Sequence, residues 1–151
     1  MSRKRTIADA VVTTIQAITG LTGGILNGSA PRCVRVKSME DAGINCILPS
    51  FIVYTAGIAE TNPASRSMTD DIGYGIGVLL LVREDSMEDN DAAEIWREAM
   101  HDAFLNKRLT AVSQVVRCTI EAGPGLSEAS PIYGMTRGND IIRCLYQRAR
   151  T

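Results

Sequence analysis

The chemistry this 151-residue chain could carry is suggested first by "DIGYGIGVLLLVRED", residues 71–85, where Gly73, Gly75 and Gly77 alternate. Glycine-rich loops hold phosphates, because a turn without side chains lets backbone N–H groups point at the anion. A dinucleotide loop, however, places its glycines in the turn between a strand and a helix. Here they run straight into the apolar stretch Val78–Val82, the third glycine is wrongly spaced, and the next helical pattern begins well downstream. Nothing elsewhere matches GxxxxGK[ST]. Alternating glycines in a strand instead mark a side where something comes close to the backbone. No cofactor is expected.

The remaining reactive residue types are scattered. His101 is the one histidine, placed about 200° around a helix from Ala99 and so away from the apolar stripe, which reads as a solvated residue. A nucleophile would need an oriented base beside it, and Ser127 in "GLSEA" lacks the GxSxG elbow. The acids of "REDSMEDND" and beyond (Glu88, Asp89, Asp91, Glu94) lack the glycine and ligand spacing of a calcium loop. They suit a helix N-terminus instead. Asp70 and Asp71 read as loop solvation, and Trp96 and Phe104 sit at core spacing. Cys33, Cys46, Cys118 and Cys144 lie far apart with no CxxC pair, and read as buried free thiols. No catalytic or metal-ligating residue is nominated.

The elements that must position these residues follow from periodicity. Ile7, Val11, Ile15 and Ile18 share a face of a helix spanning residues 4 to about 19. A glycine-rich loop, 20–31, ends it. "RCVRVKS" alternates as a short strand, and "CILPSFIVYTAGIAE" carries a second from about Ser50 to Ala59. After the polar loop 60–70, the third strand has Ile72, Tyr74, Ile76, Val78, Leu80 and Val82 on one face. Its other face is glycine first, then Leu79 and Leu81, so the second half is apolar on both sides. "SMEDNDAAEIWREAMHDAFLNKR" is the clearest helix, with Ala92, Ile95, Trp96, Ala99 and Ala103 as its apolar stripe and Lys107 and Arg108 closing it. Strands at 111–121 and 140–149 complete the chain, joined by the long segment 122–139. The expected fold is one α+β domain, a mostly antiparallel sheet of about five strands with two helices on one face, in the order α-β-β-β-α-β-β.

Composition narrows the function classes. The hydrophobic share of 45% and charged share of 22% are those of an ordinary globular chain. A net charge of -1 provides no general pull toward nucleic acid or anionic lipid. No apolar run is long enough to span a bilayer, and "MSRKRTIADAVVTTIQAITG" reads as a first helix rather than a leader. The positive features are surfaces: three long loops, and a hairpin tip carrying Pro63 and Met68 beyond the Gly73, Gly75 and Gly77 face. These five residues are the expected subunit interface, so Gly75→Val is expected to spare the fold and impair assembly.

In order and pattern the chain resembles the tail-terminator (tail-completion) proteins of long-tailed bacteriophages. The likeness runs through "TIADAVVTTIQAI", "LPSFIVYTAG", "GIGVLLLVRE", "NDAAEIWREAMHDAF" and "IIRCLYQRA". It consists of apolar patterns rather than signature side chains, so no functional residue carries over. The resemblance implies a structural virion protein, with no enzymatic activity and no cofactor. It implies a hexameric ring that caps the tail tube, joins it to the neck and lets genome DNA pass without sequence-specific binding. Its partners would be itself, the tail-tube protein and a neck protein. Its place would be the virion, after assembly in the host cytoplasm. A head–tail connector or other minor tail protein is the alternative. More distant are a small enzyme built on Arg35, Arg117 and Arg143 together with acids the sequence does not place, and a nucleic-acid module using Arg143, Arg148 and Arg150.

Overall fold

The computed structural model describes residues 2–18, 31–42, 47–62, 69–83 and 86–149. Helix α1 (Arg3–Gln16) starts where the Ser2 side chain accepts a hydrogen bond from the Arg5 N–H at 3.2 Å, the usual way an orphan helix donor is satisfied. It buries Ile7, Ala8, Ala10, Val11 and Ile15. Strands β1 (Arg32–Arg35), β2 (Ser50–Tyr54) and β3 (Thr69–Leu81) follow. Helix α2 (Met87–Phe104) is capped by Ser86, whose hydroxyl accepts from the Asp89 N–H at 3.1 Å. Strands β4 (Val115–Ala122) and β5 (Thr136–Ala149) close the fold.

The element order is the expected one, and the strands form a single sheet in the order β1-β2-β3-β5-β4. Pairing is antiparallel except between β1 and β2, which run parallel with Cys33 opposite Phe51. A parallel neighbour needs a crossover. Here it is made by a segment whose described residues include a 3-10 turn, Met39–Asp41, packed on the far face through Met39, Ala42 and Leu48. The mixed sheet is therefore a refinement of the mostly antiparallel expectation.

Strand alternation sends successive side chains to opposite faces, and both faces of β3 are used. Tyr74, Ile76, Val78 and Leu80 join α1, α2 and the inward residues of β4 and β5 in the main core. Both helices lie on that face, as expected. Trp96 and Phe104 are fully buried there, each contributing roughly 1.5–3 kcal/mol of apolar burial. Leu79 and Leu81 face a second, smaller core with Ile52, Tyr54, Ile58 and Ile132, roofed by loops instead of helices.

Several boundaries move. Strand β2 ends at Tyr54, short of Ala59, because the chain turns at Gly57 with a positive φ of 83°. Strand β4 starts at Val115 rather than 111, and β5 starts earlier, at Thr136. Helix α2 stops at Phe104, so Lys107 and Arg108 lie beyond it, past Asn106 with φ 59°. Ile95, expected in the apolar stripe, is 59% exposed on the outer face of α2. Most of the 20–31 loop falls outside the described residues.

Candidate functional site

The side chains that cover the glycine side of β3 line a surface groove of about 730 Å³, bounded by Met39, Tyr54, Ile58, Thr61, Pro124 and Arg143 among others. The close approach inferred from the alternating glycines is real, and it is made by the chain's own side chains. A Cβ on Gly77 would run into the Tyr54 ring, and one on Gly75 into Ile58 and the Arg143 guanidinium. One on Gly73 would meet Thr61 and the stem of Arg143. All three glycines are buried within the chain. Arg143, Thr61 and Ile58 cover the glycines, so Gly75→Val strikes the fold before it strikes any assembly. Pro63 and Met68 lie outside the described residues.

Arg143 is the organising side chain of this groove. It lies 15% exposed, with Nε and Nη2 donating to the two carboxylate oxygens of Glu121 at 3.2 Å each. Nη1 donates to the Ala59 carbonyl at 2.8 Å. The absence of a Cβ at Gly73 and Gly75 leaves room for the Arg143 stem and guanidinium against β3, from where Arg143 ties the 58–61 segment to β4 and β5. Thr61 completes the clasp by exchanging backbone hydrogen bonds with Gly73 at 2.9 and 2.8 Å. Deeper in the groove the Tyr54 hydroxyl donates to Asn139 Oδ1 at 3.0 Å. Burial pushes the Tyr54 phenol up, only partly offset by that bond. The groove thus offers apolar walls, a neutral phenol and a guanidinium already engaged.

A second polar cluster, missed by the sequence reading, lies on the helix side. Asp140 is buried on β5, yet Arg97 donates to it from Nε at 3.0 Å and Nη2 at 2.8 Å. His101 Nε2 lies 3.1 Å from Oδ2 of the same carboxylate. His101 is therefore a half-buried partner of Asp140, not a solvated residue. The i, i+4 spacing of Arg97 and His101 was the available signal. Only the fold could supply Asp140. Trp96, next in the chain, buries an indole N–H without a hydrogen-bond partner among the described residues.

The other candidates disperse. Asp89 turns inward at the start of α2, 5% exposed and 3.6 Å from Arg83. Asp70 and Asp71 belong to β3 rather than to a loop, and Asp70 lies 3.8 Å from Arg148. Arg35 sits on β1, 2.7 Å from Asp9, at the opposite end of the sheet from Arg117 on β4. Only Arg117 and Arg143 line a common hollow, with Thr61, Gly73 and Thr119. Arg143 and Arg148, five residues apart on β5, point to opposite faces by strand parity, and Arg150 lies outside the described residues. Ser127 Oγ accepts from the Ala129 N–H at 3.2 Å within a turn.

Cys33, Cys118 and Cys144 are buried thiols, while Cys46 lies outside the described residues. Each of the three follows an arginine in sequence, but in a strand that arginine points to the other face. Cys118 and Cys144, far apart in the chain, are direct cross-strand partners. Among the described residues no histidine, cysteine or acidic group is arranged to hold a metal ion, and no helix is long and apolar enough to cross a membrane. No protein-family model matches this chain, and no curated protein matches it in sequence.

Proposed function

We propose that this chain is a structural ring subunit of the tail-terminator kind, closing a phage tail tube and joining it to the neck. One observation carries the reading: the sheet ends in two unlike edge strands, β1 and β4, each only partly covered among the described residues. On β1, Arg32 and Val36 send their N–H groups inward to β2, to the carbonyls of Pro49 and Val53. By alternation, Cys33 and Arg35 face outward, where the Cys33 carbonyl accepts from Gln16. On β4, Cys118 is covered by the 105–107 segment, while Ile120 and Ala122 have no backbone partner beyond the sheet among the described residues.

Two different edges on one rigid sheet suit a heterologous, head-to-tail contact, which closes into a ring when the rotation between copies allows. The element order that the resemblance implies is also the order of this fold. A net charge of -1 suits a lumen through which DNA must slide, since a strongly basic one would hold phosphates.

The test is native mass spectrometry of the purified chain, alone and with tail-tube subunits. A closed species near six times 16.3 kDa in either sample supports the reading. A monomer indifferent to tube protein in both samples overturns it. Arg35→Pro removes an outward N–H without touching the β1–β2 ladder, as edge strands tolerate. That variant is expected to stay folded and lose the ring.

A further inference from the structure

Cys118 and Cys144 stand directly opposite each other on β4 and β5, with their sulfurs 3.8 Å apart in the main core. The backbone hydrogen bonds define the type of pair. The Asn106 N–H donates to the Cys118 carbonyl and the Cys118 N–H donates to the Lys107 carbonyl, both at 2.9 Å. Cys118 thus turns its backbone groups away from β5, and the pair with Cys144 is a non-hydrogen-bonded one. In such pairs the Cα atoms approach to about 4.5 Å and the side chains are at their closest. That separation falls within the Cα range of about 4.4–6.8 Å that a disulfide spans. The two side chains share one face, so the sulfurs need only a small rotation about each Cα–Cβ bond to meet.

We infer that Cys118 and Cys144 form a redox-active dithiol, oxidised in the folded chain to a cross-strand disulfide by a small peroxide. In the first step one sulfur attacks the peroxide O–O bond, giving a sulfenic acid and one water. The second sulfur then attacks the first, the S–O bond breaks, and a second water leaves. Two thiols lose two electrons, and one peroxide becomes two waters. A small oxidant is required because both cysteines are fully buried, which excludes direct exchange with a bulky disulfide.

The outcome would be a covalent clip on an edge strand. Among the described residues, strand β4 is held at Cys118 by the 105–107 segment and at its start, Val115, by Leu109 and Val112, while its second half has no backbone partner on the outer side. A bond to β5 would fix that edge from beneath.

The test treats the reduced, native chain with hydrogen peroxide, then denatures it, alkylates the remaining thiols and maps the peptides. The expected result is the loss of two alkylatable thiols and one cross-linked peptide pair joining residues 118 and 144. Both should revert with dithiothreitol. The cross-link should persist in the Cys33→Ser, Cys46→Ser double variant, and the thermal midpoint of the oxidised chain should rise, because the link constrains the unfolded state. A link between other cysteines, a cross-link formed only in denaturant, higher sulfur oxides without a link, or an unchanged thiol count would each overturn the inference. Cys118→Ser should abolish the link; where that variant fails to fold, the wild-type peptide map decides alone.

Discussion

Arg97 grips Asp140 with two hydrogen bonds, 3.0 Å from Nε and 2.8 Å from Nη2, where α2 packs over β5. The carboxylate is 4% exposed while the guanidinium is 41% exposed, so the two partners are unequal in what their loss would leave behind. Arg97→Met strands a buried charge with His101 as its remaining partner. It is expected to cost about 2 kcal/mol, below the range for fully buried pairs because Arg97 keeps solvent contact. Asp140→Asn leaves two groups that can turn to water and should cost less. Urea unfolding of both variants checks the order.

The same pair sets an acid limit. Burial pushes the Asp140 carboxyl up, but hydrogen bonds from Arg97 and His101 together outweigh it and hold the group below its ordinary value. A carboxyl more acidic in the folded than in the unfolded chain lends stability above its unfolded pKa of about 3.9 and loses it as pH falls through the folded value. The urea midpoint of the wild type should therefore fall as pH drops from about 5 toward 3, and fall less in Asp140→Asn. Equal pH dependence in the two proteins would remove Asp140 as the cause.

Gly77 and Gly57 should fail for different reasons. Gly77 is extended but lies beneath the Tyr54 ring, so Gly77→Ala must push an aromatic side chain out of the second core, costing about 1–3 kcal/mol. Gly57 has open space around it but a φ of 83°, so Gly57→Ala costs about 1 kcal/mol through the backbone alone. A smaller residue at position 54 should relieve Gly77→Ala and leave Gly57→Ala untouched. A double-mutant cycle reads that coupling.

Tyr54 offers an alkaline counterpart. Burial raises its phenol above the ordinary value. Stability from the neutral phenol is thus present below its unfolded pKa of about 10 and lost as pH rises through the folded one. Ultraviolet titration of the four tyrosines should show a late component that Tyr54→Phe removes. The same variant gives up the bond to Asn139, at about 1 kcal/mol.

Ser86→Ala should cost about 1 kcal/mol, since its hydroxyl accepts from the Asp89 N–H at the first turn of α2. Ser86→Asp should retain most of that stability. Chemical unfolding followed by far-ultraviolet circular dichroism separates the two.

Periodicity alone determined the seven principal elements and their order, the helix-facing side of β3 and the burial of Trp96 and Phe104. These are local properties: a strand repeats every two residues and a helix every 3.6, whatever they pack against. It also determined that the alternating glycines admit something close to the backbone. What fills the space was decided by tertiary structure, because Tyr54, Ile58 and Arg143 reach β3 from three other segments. The parallel pairing of β1 with β2, the outward turn of Ile95 and the inward turn of Asp89 belong to the same category. So do the convergence of Arg97 and His101 on Asp140 and the meeting of Cys118 with Cys144, residues whose sequence separation carries no record of their contact. A strand's periodicity specifies which way each side chain points; only register against its neighbours specifies what it meets.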